Sequence, residues 1–232
     1  MMSNTKQKIL DVSLDLFSRK GFSAVSIRDI CAQVMIKESS VYYHFKNKQA
    51  IFDELLYHFE QVATDMMVRL EQSLSVQSCS MEKPFYQTVC DTFFESYFMD
   101  DFCNKIMRLL LIEQFGNSEV QKIYDRWMVA EPLEFQSKVF GTLMEIGIIP
   151  KSDSGYLAVK YYAPIYFFAQ RWLFSGELSE EQKKFFSECC LSTYREIFCR
   201  DGGGIMSNIV ITGANQGIGY YFMEQALKDG TK

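Results

Sequence analysis

The sequence is poor in residues that interrupt helices and in residues that bind metals. Proline occurs four times and histidine twice among 232 residues. The seven cysteines form no C-x-x-C pair, and no histidine lies at metal-ligand spacing from any of them. We therefore expect reduced thiols and no structural metal. No apolar run reaches the roughly 18–20 residues of a membrane span, and the N-terminal residues lack the pattern of a secretory signal. These features predict a cytoplasmic protein.

Apolar and aromatic residues are plentiful, and charge is distributed unevenly. Apolar residues make up 48% of the chain and aromatic residues 15%, enough for a sizeable core or an aromatic-lined cavity. The net charge is −5. Residues 1–48 carry eight Lys/Arg against four Asp/Glu, whereas residues 49–201 carry 14 against 23. A basic N-terminal part beside an acidic remainder indicates that only the former meets a polyanion.

Apolar periodicity predicts an all-α fold of about nine helices for residues 1–200, with no convincing strand. The predicted helices cover about 6–20, 27–33, 37–44, 48–73, 84–99, 101–115, 118–145, 154–175 and 180–199. Ser26 and Ser179 begin capping boxes, and Pro132 is expected to kink or split its helix. The predicted domains are a basic N-terminal head (1–48), a helical body (49–201), and a glycine linker with a short βα-like tail (202–232).

The second and third helices are short and separated by a tight turn at Val34–Ile36. That arrangement is typical of a helix-turn-helix, whose second helix enters the major groove of DNA. The third helix presents small, aromatic and basic side chains outward, and lysines follow it. From the residues alone, two interpretations stay open: these side chains read DNA, or the tyrosines pack and the lysines are solvated.

The stretch "SIRDICAQVMIKESSVYYHFKNKQAIFDEL" (26–55) resembles the DNA-binding domain of the TetR family of bacterial transcriptional regulators. With "ILDVSLDLFSRKGFSAVSI" before it, the resemblance extends over residues 5–60. It implies that Lys37–His44 is the recognition helix. The implied DNA-binding residues are Ser26, Arg28, Lys37, Ser39, Ser40, Tyr42, Tyr43, His44, Lys46 and Lys48.

One position departs from the family pattern. The turn between the two short helices usually has a glycine where this chain has Met35. Because methionine accepts a positive φ poorly, we expect either a wider turn or an ordinary backbone conformation at Met35.

The resemblance also implies a body that binds a small apolar or aromatic effector. The candidate pocket residues are large apolar side chains with a few polar anchors: Phe94, Tyr97, Phe98, Met107, Arg108, Leu111, Gln114, Tyr124, Trp127, Tyr162 and Tyr166. The alternative is that most of them are ordinary core residues, because aromatic stripes at helical spacing usually pack in the core.

A homodimer is the third implication, formed by the last two helices of the body. The predicted interface residues are Tyr161, Ile165, Phe168, Trp172, Phe185, Phe186, Cys189, Ser192 and Phe198. The alternative is that these faces are buried within one subunit. Two heads on a palindromic operator must lie about 34–36 Å apart, which gives dimerisation a functional reason.

The resulting prediction is a repressor that a small effector releases from a palindromic DNA operator, with no cofactor, no metal and no catalytic residues. One alternative is a DNA-binding regulator controlled by a protein partner instead of a small ligand. Another is an oxidoreductase, which the end of the chain suggests.

The segment "MSNIVITGANQGIGYYFMEQALKDG" (206–230) resembles the start of a short-chain dehydrogenase/reductase. Its glycines would let the backbone approach a dinucleotide pyrophosphate at a helix N-terminus. We disfavour an NAD(P)-dependent enzyme, because a single βα unit lacks the other strands that complete such a site. The tail is expected to derive from the start of a neighbouring reading frame, with a natural tail packed on the regulator as the alternative.

Overall fold

The computed structural model describes residues 4–75, 90–145, 150–176 and 178–198, and these residues contain helices and no strand. The helices are α1 (Asn4–Lys20), α2 (Ile27–Val34), α3 (Glu38–His44), α4 (Lys48–Ser75), α5 (Cys90–Phe98), α6 (Asp101–Glu113), α7 (Ser118–Asp125), α8 (Glu131–Glu145), α9 (Ser154–Phe168) and α10 (Glu180–Phe198). The prediction of an all-helical fold is confirmed for these residues. Most helix ends lie within two residues of the predicted ones, but the predicted helix over 118–145 is divided into α7 and α8, and α9 ends at Phe168, well before the predicted end at 175.

Within the described ranges, three segments form π-helices. The periodicity of the sequence did not predict them. They are α5 itself, the turn Arg126–Ala130 between α7 and α8, and the turn Ala169–Leu173 after α9. The second explains how the predicted helix over 118–145 accommodates Pro132. Because proline has no backbone N–H, the ladder rearranges just before it, and α8 begins at Glu131.

The chain divides into two compact units, which are described separately. One comprises Met1–Asp65 with Asp101–Trp127, and the other comprises Met66–Asp100 with Met128–Lys232. The predicted domains at 1–48, 49–201 and 202–232 stay a prediction. The tail, including the glycine turn, lies outside the described residues.

The first unit is built around the N-terminal helices. Its core includes Phe17, Val41 and Phe59, each fully buried. Phe17 and Phe52 make edge contacts at a centroid separation of 6.3 Å. In this unit α1 packs against α2, α3 and α6, so the three-helix head is held against the C-terminal part of the same compact unit.

The second unit contains an aromatic core between α5, α9 and α10. Phe98 is fully buried and makes ring contacts with Phe93, Phe174 and Phe186 at centroid separations of 4.8, 6.1 and 6.3 Å. A second cluster in this unit joins α8 to α9 through Phe140, Met144 and Ala158. The α9 helix is therefore packed on both α8 and α10.

Candidate nucleic-acid interface

A capping box fixes the start of α2. The hydroxyl of Ser26 accepts from the Asp29 N–H at 3.2 Å, and the Asp29 carboxylate accepts from the Ser26 N–H at 2.8 Å. This pair satisfies two amides that a helix start leaves without partners. The predicted capping box is confirmed. The Ser26 hydroxyl and backbone hydrogen bonds hold the pKa of the Asp29 carboxyl below its usual value.

The turn of the helix-turn-helix is tight and left-handed at Met35. Its backbone has φ 61° and ψ 47°, and its N–H donates to the Cys31 carbonyl. The Ile36 N–H donates to the same oxygen at 3.1 Å. Both expectations for Met35, a wider turn or an ordinary conformation, are wrong. Its side chain is 89% exposed, so no packing opposes the left-handed conformation, whose cost is of the order of 1–2 kcal/mol.

The α3 helix has one buried face and one exposed face. Val41 is fully buried and Phe45, just past its end, is nearly so. The opposite face carries Tyr42 and Tyr43, which are 51% and 84% exposed. Core packing thus anchors the helix, while aromatic side chains with polar hydroxyls project outward. That arrangement suits a helix that lies in the major groove.

The remaining predicted contact residues of the head surround this face. Ser39 and Lys46 are exposed, and Ser40 and His44 are half-buried. Lys37 is the residue before the first turn of α3, rather than part of it. Arg28 pairs with Glu38 at 3.2 Å across the turn, and both side chains are exposed. Such an exposed pair is worth at most about 1 kcal/mol, so Arg28 is easily redirected to a phosphate.

Lys48 differs from the other lysines of the head. Its ammonium donates to the carbonyl oxygens of Phe22 and Val25, both at 2.7 Å. It also lies 4.1 Å from the centroid of the Phe22 ring. Two of its three donors are thus used inside the head. The prediction that Lys48 contacts phosphate stays untested, and its position favours a structural role.

The predicted pocket residues fall in both units. In the first unit Met107, Tyr124 and Trp127 are buried, whereas Arg108, Leu111 and Gln114 are half-buried. The Trp127 indole lies 3.4 Å from a carboxylate oxygen of Glu60. The Gln114 amide donates to the Leu111 carbonyl at 3.2 Å. These residues lie on or just beyond α6 and α7.

In the second unit Phe94, Tyr97, Phe98 and Tyr162 are buried, and Tyr166 is half-buried. The Tyr162 and Tyr166 rings lie 6.2 Å apart. Burial raises the pKa of the Tyr166 hydroxyl, and the neighbouring Gln170 amide opposes that shift. Sequence reasoning missed Gln170, because a single glutamine in an aromatic stretch gives no signal of its own.

The predicted interface residues separate into core and surface. Ile165 and Phe186 are buried within the second unit, so they serve its core. Tyr161, Phe168 and Cys189 are half-buried. The Trp172 ring stacks on Phe185 at 4.9 Å. The side chains of Ser192 and Phe198 lie outside those described.

The structure shows a different apolar stripe on α9 that the sequence analysis did not select. Tyr156, Val159 and Phe167 are 67%, 49% and 63% exposed, and Ala163 between them is exposed too. Their spacing places them along one face of the helix. Periodicity alone did not separate this stripe from the buried one, because α9 is apolar on nearly all sides.

Other kinds of site find no support among the described residues. No group of three or more His, Cys, Asp or Glu side chains there is arranged to hold a metal ion. Among the same residues, no helix is both long and apolar enough to cross a membrane.

Comparison with known proteins supports the interpretation of the N-terminal helices as a DNA-binding head. Residues 9–55 match the family model for bacterial regulatory proteins, tetR family. The biofilm operon icaADBC negative transcriptional regulator IcaR of Staphylococcus aureus is 43% identical over 49 residues, which cover 21% of this chain and 26% of IcaR. The chain thus matches about a quarter of the length of that curated relative.

Solved structures of other proteins are similar to this chain beyond the head, in its helical fold. SmeT, the repressor of the Stenotrophomonas maltophilia multidrug efflux pump SmeDEF, is similar at 18% identity. Its triclosan complex has a TM-score of 0.59 and covers 89% of this chain and 99% of its own. A TetR-family regulator from Marinobacter aquaeolei has a TM-score of 0.58 at 21% identity, and the match covers 83% of this chain and 89% of that one.

These findings define a helix-turn-helix protein with a helical body. The head matches the TetR-family model over residues 9–55, and the described chain has a fold similar to that of the solved TetR-family regulators.

Proposed function

We propose that the protein is a dimeric transcriptional repressor that binds a palindromic DNA operator and leaves it when a small effector binds the body. The observation that supports DNA binding most directly is α3, held by Val41 and Phe45 with Tyr42 and Tyr43 exposed. The basic charge of residues 1–48 acts in the same direction. The site of action would be the cytoplasm, where the operator lies.

Fluorescence anisotropy with DNA from upstream of the gene tests this function. We expect one palindromic site to bind tightly, and the affinity to fall steeply as salt rises. Tyr43→Ala should weaken operator binding, whereas Tyr57→Ala, which removes another exposed tyrosine, from α4, should not. Weak binding to all of the upstream DNA, with an affinity that does not depend on its sequence, would contradict the proposal.

The dimer would use the exposed stripe on α9. Tyr156, Val159 and Phe167 offer apolar surface to the same face of a second copy, as a twofold interface requires. Phe167→Glu should dissociate the dimer in sedimentation velocity, with Tyr57→Glu as a control outside the stripe. If the Phe167→Glu protein stays dimeric, another face forms the interface.

The effector would bind among the aromatic side chains of the body. SmeT, whose fold is similar, has been solved with triclosan, which supports an apolar or aromatic ligand here. Tyr166 and Gln170 are the polar pair that would orient it. Control by a protein partner remains the alternative, and it would show as operator affinity that no apolar or aromatic ligand changes.

We also propose that the protein is not an enzyme, whatever the origin of its dehydrogenase-like tail. Titration of NADH and NADPH with the full chain tests this directly. We expect the fluorescence of either cofactor to stay unchanged. A saturable change would revive the oxidoreductase alternative, and the same titration on a chain that ends at Arg200 would then assign it to the tail.

A further inference from the structure

The backbone of Phe22 is hydrogen-bonded on both sides, at its N–H and at its carbonyl, by charged side chains from distant parts of the chain. Its N–H donates to a carboxylate oxygen of Glu113, at 2.8 Å. Its carbonyl oxygen accepts from the Lys48 ammonium, at 2.7 Å. Hydrogen bonds to charged groups are roughly twice as strong as neutral ones. A single loop residue is thus bound by the end of α6 on one side and by the start of α4 on the other.

Gly21 makes this approach possible. Its φ is +81°, and a Cβ there would lie 2.9 Å from the Glu113 carboxylate and 3.1 Å from the Ile112 side chain. The Gly21 N–H donates to the Phe17 carbonyl at 2.9 Å, which ends α1. Any other residue would be strained by this φ, and its Cβ would displace the Glu113 carboxylate from the position in which it accepts from Phe22.

The loop that contains Phe22 connects α1 to the helix-turn-helix. It leads directly to Ser26, the cap of α2. Lys48 is the first residue of α4 and follows α3 after a three-residue link. The Phe22 backbone therefore connects the end of α6 to the loop before α2 and to the start of α4. Lys105 adds a second link between α6 and α1, through Asp15 at 3.6 Å.

We propose that Glu113 is a positioning residue for DNA binding. By holding the Phe22 N–H, its carboxylate fixes the loop before α2 and with it the orientation of the helix-turn-helix. Without this hydrogen bond the loop and the recognition helix are held less firmly against α6. The inference rests on the proposed DNA-binding function and deepens it, because it names the residue of α6 that holds the helix-turn-helix in place.

Amide exchange and operator binding, measured on the same full-length variants, test the proposal. In Glu113→Ala we expect the Phe22 amide to exchange roughly tenfold faster, because a charge-assisted bond is lost. Operator affinity should fall about three- to tenfold, with an unchanged salt slope because no phosphate contact is removed. Glu113→Gln keeps a neutral acceptor and should lie between this variant and the wild type.

Glu119→Ala is the matched control. Glu119 is exposed on α7 and pairs with Lys122, so this variant changes charge by the same amount without touching the loop. Removing a negative charge by itself strengthens binding to DNA, so weaker binding only in the Glu113 variants is not a charge effect. Thermal unfolding of each variant shows that it is folded at the assay temperature.

Two results would overturn the inference while leaving the proposed function intact. One is a Phe22 amide that exchanges in Glu113→Ala as it does in the wild type. The other is wild-type operator affinity in both Glu113 variants. A wild-type protein that binds no DNA would instead refute the proposed function, and the exchange measurement would still report whether Glu113 holds the loop.

Discussion

The hydroxyl of Tyr162 donates a hydrogen bond to the backbone carbonyl of Met128, at 2.8 Å in the buried interior of the second unit. The residue four positions after Met128 is Pro132, which has no N–H to donate to that carbonyl. The tyrosine thus supplies a donor where the proline removes one, at the π-helical turn before α8.

Tyr162→Phe should lower the free energy of unfolding by about 1–3 kcal/mol, because it leaves a buried carbonyl without this donor. Tyr156→Phe removes the same hydroxyl from an exposed position of the same helix and should change stability little. Urea denaturation measures both. Equal stability of the two variants would mean that the Met128 carbonyl is satisfied without Tyr162.

Burial raises the pKa of the Tyr162 hydroxyl. A raised pKa in the folded state means that the hydroxyl stays protonated in the native protein and keeps donating. The unfolded chain ionises near the ordinary tyrosine value of about 10. The stability that Tyr162 contributes should therefore decline as the pH rises above that value, and Tyr162→Phe should remove this dependence.

Met35→Gly should stabilise the protein. The native φ of 61° is strained for methionine and unstrained for glycine, and the exposed side chain contributes little packing. The relieved strain exceeds the entropic cost of glycine, so we expect a gain of about 0.5–1 kcal/mol. Chemical denaturation measures the gain, and Met35→Val, with a β-branched side chain, should have the opposite effect. Lower stability of Met35→Gly would refute a left-handed turn.

Ser26→Ala should weaken the start of α2 by about 1 kcal/mol, as the loss of an N-cap does. The same change should raise the pKa of Asp29 part of the way towards its ordinary value of 3.8, because the lost Ser26 hydroxyl bond is the largest cause of the lowered pKa. A lowered folded-state pKa contributes stability above the unfolded value and loses it as the pH falls through the folded value.

Carboxyl titration by NMR tests the Asp29 part of that prediction. We expect the wild-type carboxyl to titrate below 3.8 and the variant carboxyl at a higher pH than the wild-type one, because the backbone N–H of residue 26 still donates to it but the hydroxyl does not. Ser179→Ala serves as the control, because it removes the other capping box, with Gln182, and leaves Asp29 untouched. An unchanged Asp29 pKa in Ser26→Ala would show that another group holds the carboxylate.

Lys46→Met and Lys48→Met should affect operator binding in different ways. Lys46 is exposed beside α3, so we expect it to contact phosphate, and its loss should reduce the slope of log K against log salt by about 0.9. Lys48 is bonded to two carbonyls of the head, so its loss should weaken binding with little change in slope. A reduced slope in Lys48→Met would show that its ammonium reaches DNA.

The sequence alone determined the local structure and the class of the head. Helical periodicity, the Ser26 capping box and the interruption at Pro132 depend on residues close together in the chain, so local rules predict them. The apolar positions Val41 and Phe45 likewise follow from one short helix. The pattern around α2 and α3 was also specific enough to show the resemblance of the head to TetR-family DNA-binding domains, which the family match over residues 9–55 confirms.

Only the tertiary structure decided which helix faces are buried and which distant groups form hydrogen bonds. The α9 helix is apolar nearly all round, so packing alone chose Ile165 for the core and left Phe167 exposed. The bond between Glu113 and Phe22 joins residues 91 positions apart, and no local pattern reports such a pair. The backbone of Met35 is a third case. A methionine side chain disfavours a positive φ, yet the residue has φ 61° at the C-cap of α2, where its N–H donates to the Cys31 carbonyl.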